Sequence, residues 1–592
     1  MFKKVLIANR GEIAVRLITA CKELGIKTYI IHSKVDEKAS FVNWADHKIL
    51  IEGAPIEAYL NYEAIINQAK KHDIEAIHPG YGFLSENHHF AKACHDNGIT
   101  FIGPNYEVIR QMGSKIEARS ILAKANVPMV PGLTKAVEDI DEVKTFASQY
   151  KYPIACKASG GGGGRGFAII NNDSEIADCL KKTASESLRY FGVKDVYLEK
   201  YFAKAKHIEV QIMADNYGNV ITLGERDCST QRRHQKLIEE SPASSINPKV
   251  REKLHATALK IAKSINYNNI GTIEFLVADD EIYFLEVNSR IQVEHPVTEV
   301  TTGIDIAKEQ IKLSFGEKLS FNENIKPKGH GLEFRITAEN PYENFMPNFG
   351  MIEKFHPPSQ PFLRVDTHCH DNFEVLPFYD SLLAKLIVWG ADRNEAINKA
   401  RLALKNFSIT GINTSLDFFN TFIDDELFKT DKVYTAYVEN IFMPDFKKHK
   451  PAITDTKNNL AIEKKLMTNV NSDQSNQATD KYRIKVNEEW FDVEIVTSKN
   501  NSKPRQKTIL QKKNYAVKTD TEIITVKMPG LIKSILVKEG DSVTAGQKLL
   551  TVEAMKMESD IVASHNGCVT EIMVEANQTV QSNTTLMTIK IS

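Results

Sequence analysis

The chain opens on a short apolar run, Val5 to Ala8, followed by Gly11 and a helical spacing of apolar residues from Ile13 to Leu24. Gly25 stops that helix, and Thr28 to His32 reads as the next strand, so the pattern is strand–turn–helix–strand, an α/β start. The turn lacks a full GxGxxG, so an ordinary βαβ unit is the reading rather than a dinucleotide site. Alternation of apolar runs and helical spacings continues to about residue 325. A mixed region follows to about 445, in which Phe349 to Arg364 and Leu382 to Trp389 read as strands. Lys447 to Lys481 is then dominated by Asn, Lys, Asp, Ser, Gln and Thr, too few large apolar residues to offset an ordering cost, and reads as a mobile linker. Tyr482 to Val496 alternates apolar and polar residues like a small β-hairpin, and Thr497 to Lys513 is polar again.

The last part contains a repeat. Gly530-Leu-Ile-Lys-Ser-Ile-Leu-Val matches Gly567-Cys-Val-Thr-Glu-Ile-Met-Val without gaps. Ile535 falls on Ile572, Val543 on Val580 and Val552 on Ile589. Gly540 falls on Asn577 and Gly546 on Asn583, and Gly and Asn are the residues that best tolerate positive φ, so both copies are expected to turn at the same places. Two equivalent sets of short strands imply a flattened all-β barrel with internal two-fold symmetry. Glu553-Ala-Met-Lys-Met-Glu558 lies between the copies, at the expected hairpin tip.

Composition narrows the class. A length of 592 residues exceeds one compact core, so several domains are expected. Lys+Arg number 75 against Asp+Glu 76, which argues against a nucleic-acid or membrane-surface binder. No apolar run reaches the roughly 20 residues of a membrane span, and the start is too short in apolar residues for a signal peptide. The seven scattered cysteines, with no CxxC, read as reduced thiols in a cytoplasmic chain.

Three segments carry chemistry. Gly160 to Gly164, with Arg165 and Gly166, follows the strand-like Ile154 to Ala158 and its Lys157; glycines let backbone N–H groups approach phosphate oxygens. No Gly-Lys-Ser/Thr follows, so it is not a Walker loop; it resembles the phosphate-covering lid of ATP-grasp enzymes. Gly271 to Val277 and Ile282 to Asn288 read as a β-hairpin bearing Glu274, Glu286 and Asn288, oxygen donors that suit Mg²⁺ or Mn²⁺ on a nucleotide's phosphates. A tight two-residue loop at Asp279-Asp280 would pair Glu274 with Leu285 and put Glu286 on the opposite face, so shared ligation requires a longer loop or a bulge. Ala554-Met555-Lys556-Met557 resembles the biotin-attachment tetrapeptide of biotinyl domains; a lipoyl domain shares the fold but usually has Asp-Lys-Ala there. Two other groups of histidines are weaker signals. His368-Cys369-His370 has two imidazoles on one strand face but no partner cluster, and His88-His89 reads as a helix start.

Three long strings together resemble the biotin carboxylase family: His78-Pro-Gly-Tyr-Gly-Phe-Leu-Ser-Glu-Asn87, Glu225-Arg-Asp-Cys-Ser-Thr-Gln-Arg-Arg-His-Gln-Lys236 and Asn288-Ser-Arg-Ile-Gln-Val-Glu-His-Pro-Val-Thr-Glu299. The resemblance implies an α/β N-terminal domain (1–112), an ATP-grasp domain with a glycine-rich lid (113–325) and a C-terminal domain (326–445). A linker with its hairpin (446–522) and a biotinyl domain (523–592) follow. The fold class is thus mixed α/β and α+β, ATP-grasp followed by a flattened β-barrel. For ATP the resemblance implies Lys115, Lys157, Gly163, Gly164, Glu199, Lys200, Phe202, His207, Gln231, His234 and Leu276. It implies Glu274, Glu286 and Asn288 for the metal, and Lys236, Arg290, Gln292, Val293 and Glu294 around bicarbonate. Arg335 is expected at biotin's ureido oxygen, and Lys556 at the biotin attachment. Lys236, Arg290, Glu294 and Arg335 form the implied catalytic set, with Glu294 as general base; Asp380 matches a family motif of less certain role. Departures are small: Phe167 for Met, Ser289 for Thr, Ser415 for Asn and Phe202 for Leu.

The implied reaction makes carboxyphosphate from ATP and bicarbonate, then carboxybiotin. A separate carboxyltransferase (beta) subunit of an acyl-CoA carboxylase would use it, since no carboxyltransferase fold follows the barrel. Biotin protein ligase is the other implied partner, within a homo-oligomer in a hetero-oligomeric complex. Alternatives are the biotin carboxylase subunit of a two-subunit pyruvate carboxylase, or an inactive carrier.

Overall fold

The computed structural model describes residues 1–133, 135–137, 139–158, 167–191, 195–321, 325–449, 477–486, 489–498, 521–526, 530–554, 557–576, 578–580 and 584–591. The first sheet is parallel throughout. Its strand order is His47–Leu50, Lys27–His32, Lys4–Ile7, Ala76–His78, Thr100–Phe101, with Ile7 facing Ile30 on one side and His78 on the other. Val5, Leu6 and Ile7 are fully buried because helices such as Gly11–Glu23 cover the sheet, which is why this strand is a bare apolar run rather than an alternating one. The turn after Ala76–His78 is fixed from the first strand's end. Asn9 donates to the carbonyls of Pro79 (2.6 Å) and Tyr81 (2.8 Å). Gly80 has φ +64°, and a Cβ there would lie 2.8 Å from the Asn9 amide nitrogen.

The α/β alternation read to residue 325 does not hold beyond this first sheet. The central sheet has eight strands and every neighbouring pair is antiparallel, in the order Glu281–Asn288, Asn269–Ala278, Lys206–Ala214, Val220–Arg232, Gln235–Ser241, His330–Thr337, Leu382–Gly390, Leu363–Thr367. Strands 206–214 and 220–232 are buried on both faces along nearly their whole length; the first alternates Ile208, Val210 and Ile212 with His207, Glu209 and Gln211, a period-two pattern, while the second is mostly polar and carries no clear period. The sheet also runs through the expected division near 325, because Ile238 pairs with Phe334 across it. Phe349 to Arg364 is not one strand. Short strands at Gly350–Ile352 and Lys354–His356 are separated from Leu363–Thr367 by a stretch holding Pro357, Pro358 and Pro361, which have no N–H for a ladder.

A separate three-stranded sheet, Phe167–Ile170, Ile154–Ala158, Val196–Lys200, packs on helices Ile140–Tyr150 and Ile176–Phe191 around Val143, Phe146, Cys156 and Leu198. The hairpin expected at 482–496 is present and longer, Gln477–Val486 against Glu489–Ser498, so its first strand takes in the end of the stretch read as linker. Residues 450–476 and 499–520, the rest of that polar sequence, lie outside the described residues.

The C-terminal barrel is two four-stranded sheets whose members correspond at the repeat's offset. Gly530–Ile535 matches Gly567–Ile572, and Lys548–Ala554 matches Thr585–Ile591. Ile532 pairs with Val552 as Val569 pairs with Ile589, and all four are buried in a core made only of residues 524 to 589. Gly540 and Gly546 have φ +90° and +85°; their counterparts Asn577 and Asn583 lie outside the described residues. Among the described residues no helix is long and apolar enough to cross a membrane.

Candidate functional site

A cavity of about 1180 Å³ lies over the central sheet and is closed by the turns of the N-terminal sheet and the edge of the three-stranded one. Seventeen of the residues that the resemblance implies for ATP, metal, bicarbonate and biotin line it together: Lys157, Glu199, Lys200, Phe202, His207, Gln231, His234, Lys236, Glu274, Leu276, Glu286, Asn288, Arg290, Gln292, Val293, Glu294 and Arg335; Phe167, His368 and Asp380 line it as well. Lys115 opens the helix Lys115–Lys124. Gly163, Gly164 and Lys556 lie outside the described residues.

The acidic hairpin takes the form that shared ligation requires. Asp279 and Asp280 turn with φ +51° and +63°, a tight two-residue loop. The register then shifts between Glu274 and Phe275, so Phe275 faces Phe284 while Glu274 faces Glu286. That bulge returns Glu286 to the face of Glu274, and Asn288, two residues on, follows it. The strand is seated by Gly271, where an added Cβ would fall 2.0 Å from the Tyr267 hydroxyl. Gly271→Ala is expected to cost about 2 kcal/mol or more by overpacking; an unchanged melting temperature would show that Tyr267 has somewhere to go.

At the cavity floor, Lys236 reaches three carboxylates: Glu209 at 2.6 Å, Glu274 at 2.9 Å and Glu294 at 2.7 Å. Arg335 takes the other oxygen of Glu294 at 2.7 Å and donates through Nε to Glu239 at 2.6 Å. Burial by itself raises Glu294, but Lys236, then Arg335 and Arg226, outweigh it and hold the carboxylate below its ordinary range. Glu274 is treated alike: burial is overcome by Lys236 and by His207, whose Nε2 is 2.9 Å away. Arg290 is oriented rather than free. It donates to Glu86 (2.9 Å), to Gln292 (2.8 Å) and to the Asn288 oxygen (2.9 Å), while Glu86 also accepts from the Ser289 N–H.

The mouth of the cavity is aromatic and basic. Phe202 stacks on Tyr283 with centroids 4.6 Å apart. Phe167 lies edge-on to His234. Lys157 pairs with Glu199, which also meets Arg119 at 3.2 Å. His234 is held in the left-handed turn Arg233-His234 between two central strands. Ser415 donates to the Arg335 carbonyl (3.1 Å) and accepts from the Thr337 N–H (2.9 Å), pinning the strand on both sides of Arg335.

Sequence reading missed Glu209, Arg226 and Glu239. Arg226 is fully buried and binds Glu209, Gln211 and Thr298, so it fixes the Glu209 carboxylate under Lys236. The alternation His207, Glu209, Gln211 on one strand was the available signal. His368 and His370 both pack edge-on against Phe373 and belong to none of the potential metal-holding groups among the described residues. The His368 ring packs against Phe41 and Phe373 and burial pushes it down to about 3, whereas His370 is exposed. His88 and His89 open the helix His88–Asp96. The groups close enough to hold a metal among the described residues are His207–Glu209–Glu274 and Glu209–Cys228–Glu294. Both already surround Lys236, which supplies their positive charge. Glu274, Glu286 and Asn288 line the cavity, and their oxygens could hold a hard divalent cation.

Comparison with known proteins is consistent along the chain. Residues 1–109 match the family described as biotin carboxylase, N-terminal domain. Residues 114–322 match carbamoyl-phosphate synthase L chain, ATP binding domain. Residues 333–440 match the biotin carboxylase C-terminal domain, and 508–589 match biotin-requiring enzyme. The biotin-dependent acyl-coenzyme A carboxylase alpha3 subunit of Mycobacterium leprae is 37% identical over 604 residues, 99% of this chain and 98% of that one. A pyruvate carboxylase subunit of Methanothermobacter thermautotrophicus is 46% identical over 441 residues, 74% of this chain and 90% of that one. Among solved structures, the biotin carboxylase domain dimer of Hydrogenobacter thermophilus 2-oxoglutarate carboxylase, in complex with MgADP, ADP and bicarbonate, has a TM-score of 0.71 at 44% identity, covering 76% of this chain and 99% of that one.

Proposed function

This chain belongs to the biotin carboxylase family, an ATP-driven, biotin-dependent carboxylase with its own biotinyl domain, and from that membership we propose that its cavity activates bicarbonate with ATP and passes the carboxyl group to biotin held on Lys556. The observation that carries the reading is Glu294, gripped on one oxygen by Lys236 and on the other by Arg335 at the cavity floor. Glu294 stays ionised in that grip and accepts the bicarbonate proton as the bicarbonate oxygen attacks the γ-phosphorus. Lys236, Arg290, Gln292 and Val293 hold the bicarbonate, and the cations beside it stabilise the negative charge that grows during transfer. Lys115, Lys157, Glu199, Lys200, Phe202, His207, Gln231, His234, Leu276 and the glycines 163 and 164 hold the nucleotide.

Glu274, Glu286 and Asn288 fit a Mg²⁺ or Mn²⁺ ion, because the bulge gathers three oxygen donors on one face and Glu286 is exposed to the cavity. When bound, the metal neutralises phosphate charge, and biotin supplies the ureido nitrogen that accepts the carboxyl group. Arg335, which lines the cavity, would stabilise the charge that the ureido oxygen gains.

Purified chain with ATP, bicarbonate and free biotin should release phosphate in step with carboxylation. ATP cleavage that ignores bicarbonate would overturn the reading. Glu286→Gln is expected to raise the metal concentration for half-maximal activity by roughly tenfold; an unmoved metal titration would remove Glu286 from the ligand set.

An acyl-CoA carboxylase, with the carboxyltransferase on a separate polypeptide, is the favoured setting because the Mycobacterium leprae relative aligns over nearly the whole chain. A two-subunit pyruvate carboxylase is the second reading, supported by the Methanothermobacter thermautotrophicus relative, which leaves about a quarter of this chain unmatched. Mass spectrometry of the protein that co-purifies with the chain separates them.

A further inference from the structure

Behind Arg335 lies a feature that the reaction scheme does not use. Glu239 and Glu333 are directly opposed residues on neighbouring antiparallel strands, 235–241 and 330–337. Both are fully buried. Glu239 uses Oε1 to accept from Arg335, and Glu333 uses Oε2 to accept from the Val297 N–H at 3.2 Å. The remaining oxygens, Glu239 Oε2 and Glu333 Oε1, have no hydrogen-bond partner among the described residues. Opposed residues in such a ladder have Cβ atoms roughly 4.5–5.5 Å apart, within carboxyl-to-carboxyl reach. Two buried acceptors can satisfy each other only if one of them carries hydrogen.

We propose that Glu239 and Glu333 share one proton between these two oxygens, and that this dyad is the positioning element that holds Arg335 toward the biotin ureido site. The proton sits on Glu333 and is donated to Glu239, whose other oxygen is committed to the guanidinium. Arg335 then faces one negative charge behind it, the dyad, and one in front, Glu294. A fully ionised dyad would double the charge behind and draw the guanidinium back from the cavity. The charged groups that face Glu239 are Arg335, Glu294 and Lys236, with the Cys228 thiol; those that face Glu333 are Lys385, Arg335, Glu294 and Glu239 itself. Burial dominates at both carboxyls, raising Glu239 to about 7 and Glu333 well above the carboxylate range. The positioning role rests on the reading of Arg335 given above; the shared proton does not.

The test has two independent parts, both on the full biotinylated chain. Infrared difference spectra of wild type against Glu333→Gln at neutral pH should show the carbonyl stretch of a protonated carboxyl that the variant lacks and that fades at alkaline pH. Absence of that band would overturn the dyad. In free-biotin carboxylation, Glu239→Gln should lose roughly tenfold in kcat, while bicarbonate-dependent ATP cleavage changes less than about twofold. Glu333→Gln should stay within about twofold of wild type, because its amide N–H replaces the shared O–H, but should lose the alkaline fall of the pH profile. Equal damage from both variants, at unchanged melting temperature, would overturn the positioning role. An Arg335→Met chain that still carboxylates free biotin would overturn the Arg335 reading and the positioning role with it, while the infrared band decides the proton by itself.

Discussion

A chain carrying Glu294→Gln is expected to bind ATP almost normally and to lose bicarbonate-dependent ATP cleavage by roughly 10²-fold or more. The amide keeps the shape of the side chain and its carbonyl can still accept from Lys236 or Arg335, but it cannot take a proton. The nucleotide side of the cavity is built from other elements, strands 196–200 and 206–214 and the turn at His234, so its affinity should not follow. The pH dependence of the wild type adds a second check. Lys236, Arg335 and Arg226 favour the charged form, so in the free protein the Glu294 proton is lost below the ordinary carboxylate range. Glu294 is therefore already ionised across neutral and mildly acid pH, and its titration cannot set the acid limb of ATP cleavage in the free enzyme. An inflection near neutrality in kcat/KM for bicarbonate must belong to another group. If Glu294→Gln turns over near the normal rate, a different residue takes the bicarbonate proton.

Much of this site was legible before any fold was known, and the reason is local. Glu286, Asn288, Arg290, Gln292 and Glu294 fall on alternate positions of one short segment, and the glycine-rich stretch and the Lys556 tetrapeptide are contiguous. The 37-residue repeat announced a symmetric barrel because equivalent strands must pair equivalently. What stayed hidden depends on pairing between distant segments. Strand 220–232 is buried on both faces although most of its residues are polar, so no apolar period marks it, and the alternation on strand 206–214 does not say which strands it pairs with. Glu239 and Glu333 are ordinary acidic residues 94 positions apart until the sheet sets them opposite each other. The bulge after Glu274 was legible only as a requirement: two-residue loop chemistry and shared ligation conflicted, and one irregularity resolves the conflict.

Lys556→Arg is expected to abolish biotin labelling and acyl-group carboxylation completely while leaving free-biotin carboxylation at the wild-type rate. In the barrel, Ala554 pairs with Met557, so the two strands are joined in sequence by Met555 and Lys556 alone. The barrel core is formed by residues such as Ile532, Val552, Val569 and Ile589, none of them in that link, so the substitution should not unfold it. Arginine keeps the positive charge, but a guanidinium stays protonated in proteins and does not form the amide that a lysine amine forms with biotin's carboxyl. The carboxylase cavity is lined by residues between Asn9 and Thr435 and takes no described residue from the barrel. Its chemistry on dissolved biotin should therefore be indifferent to the change. Streptavidin blotting, free-biotin carboxylation and acyl-CoA carboxylation with added carboxyltransferase, all on the same preparation, decide the matter. Label persisting on the variant would move the attachment site elsewhere; loss of free-biotin carboxylation would mean that the barrel contributes to the carboxylase site itself.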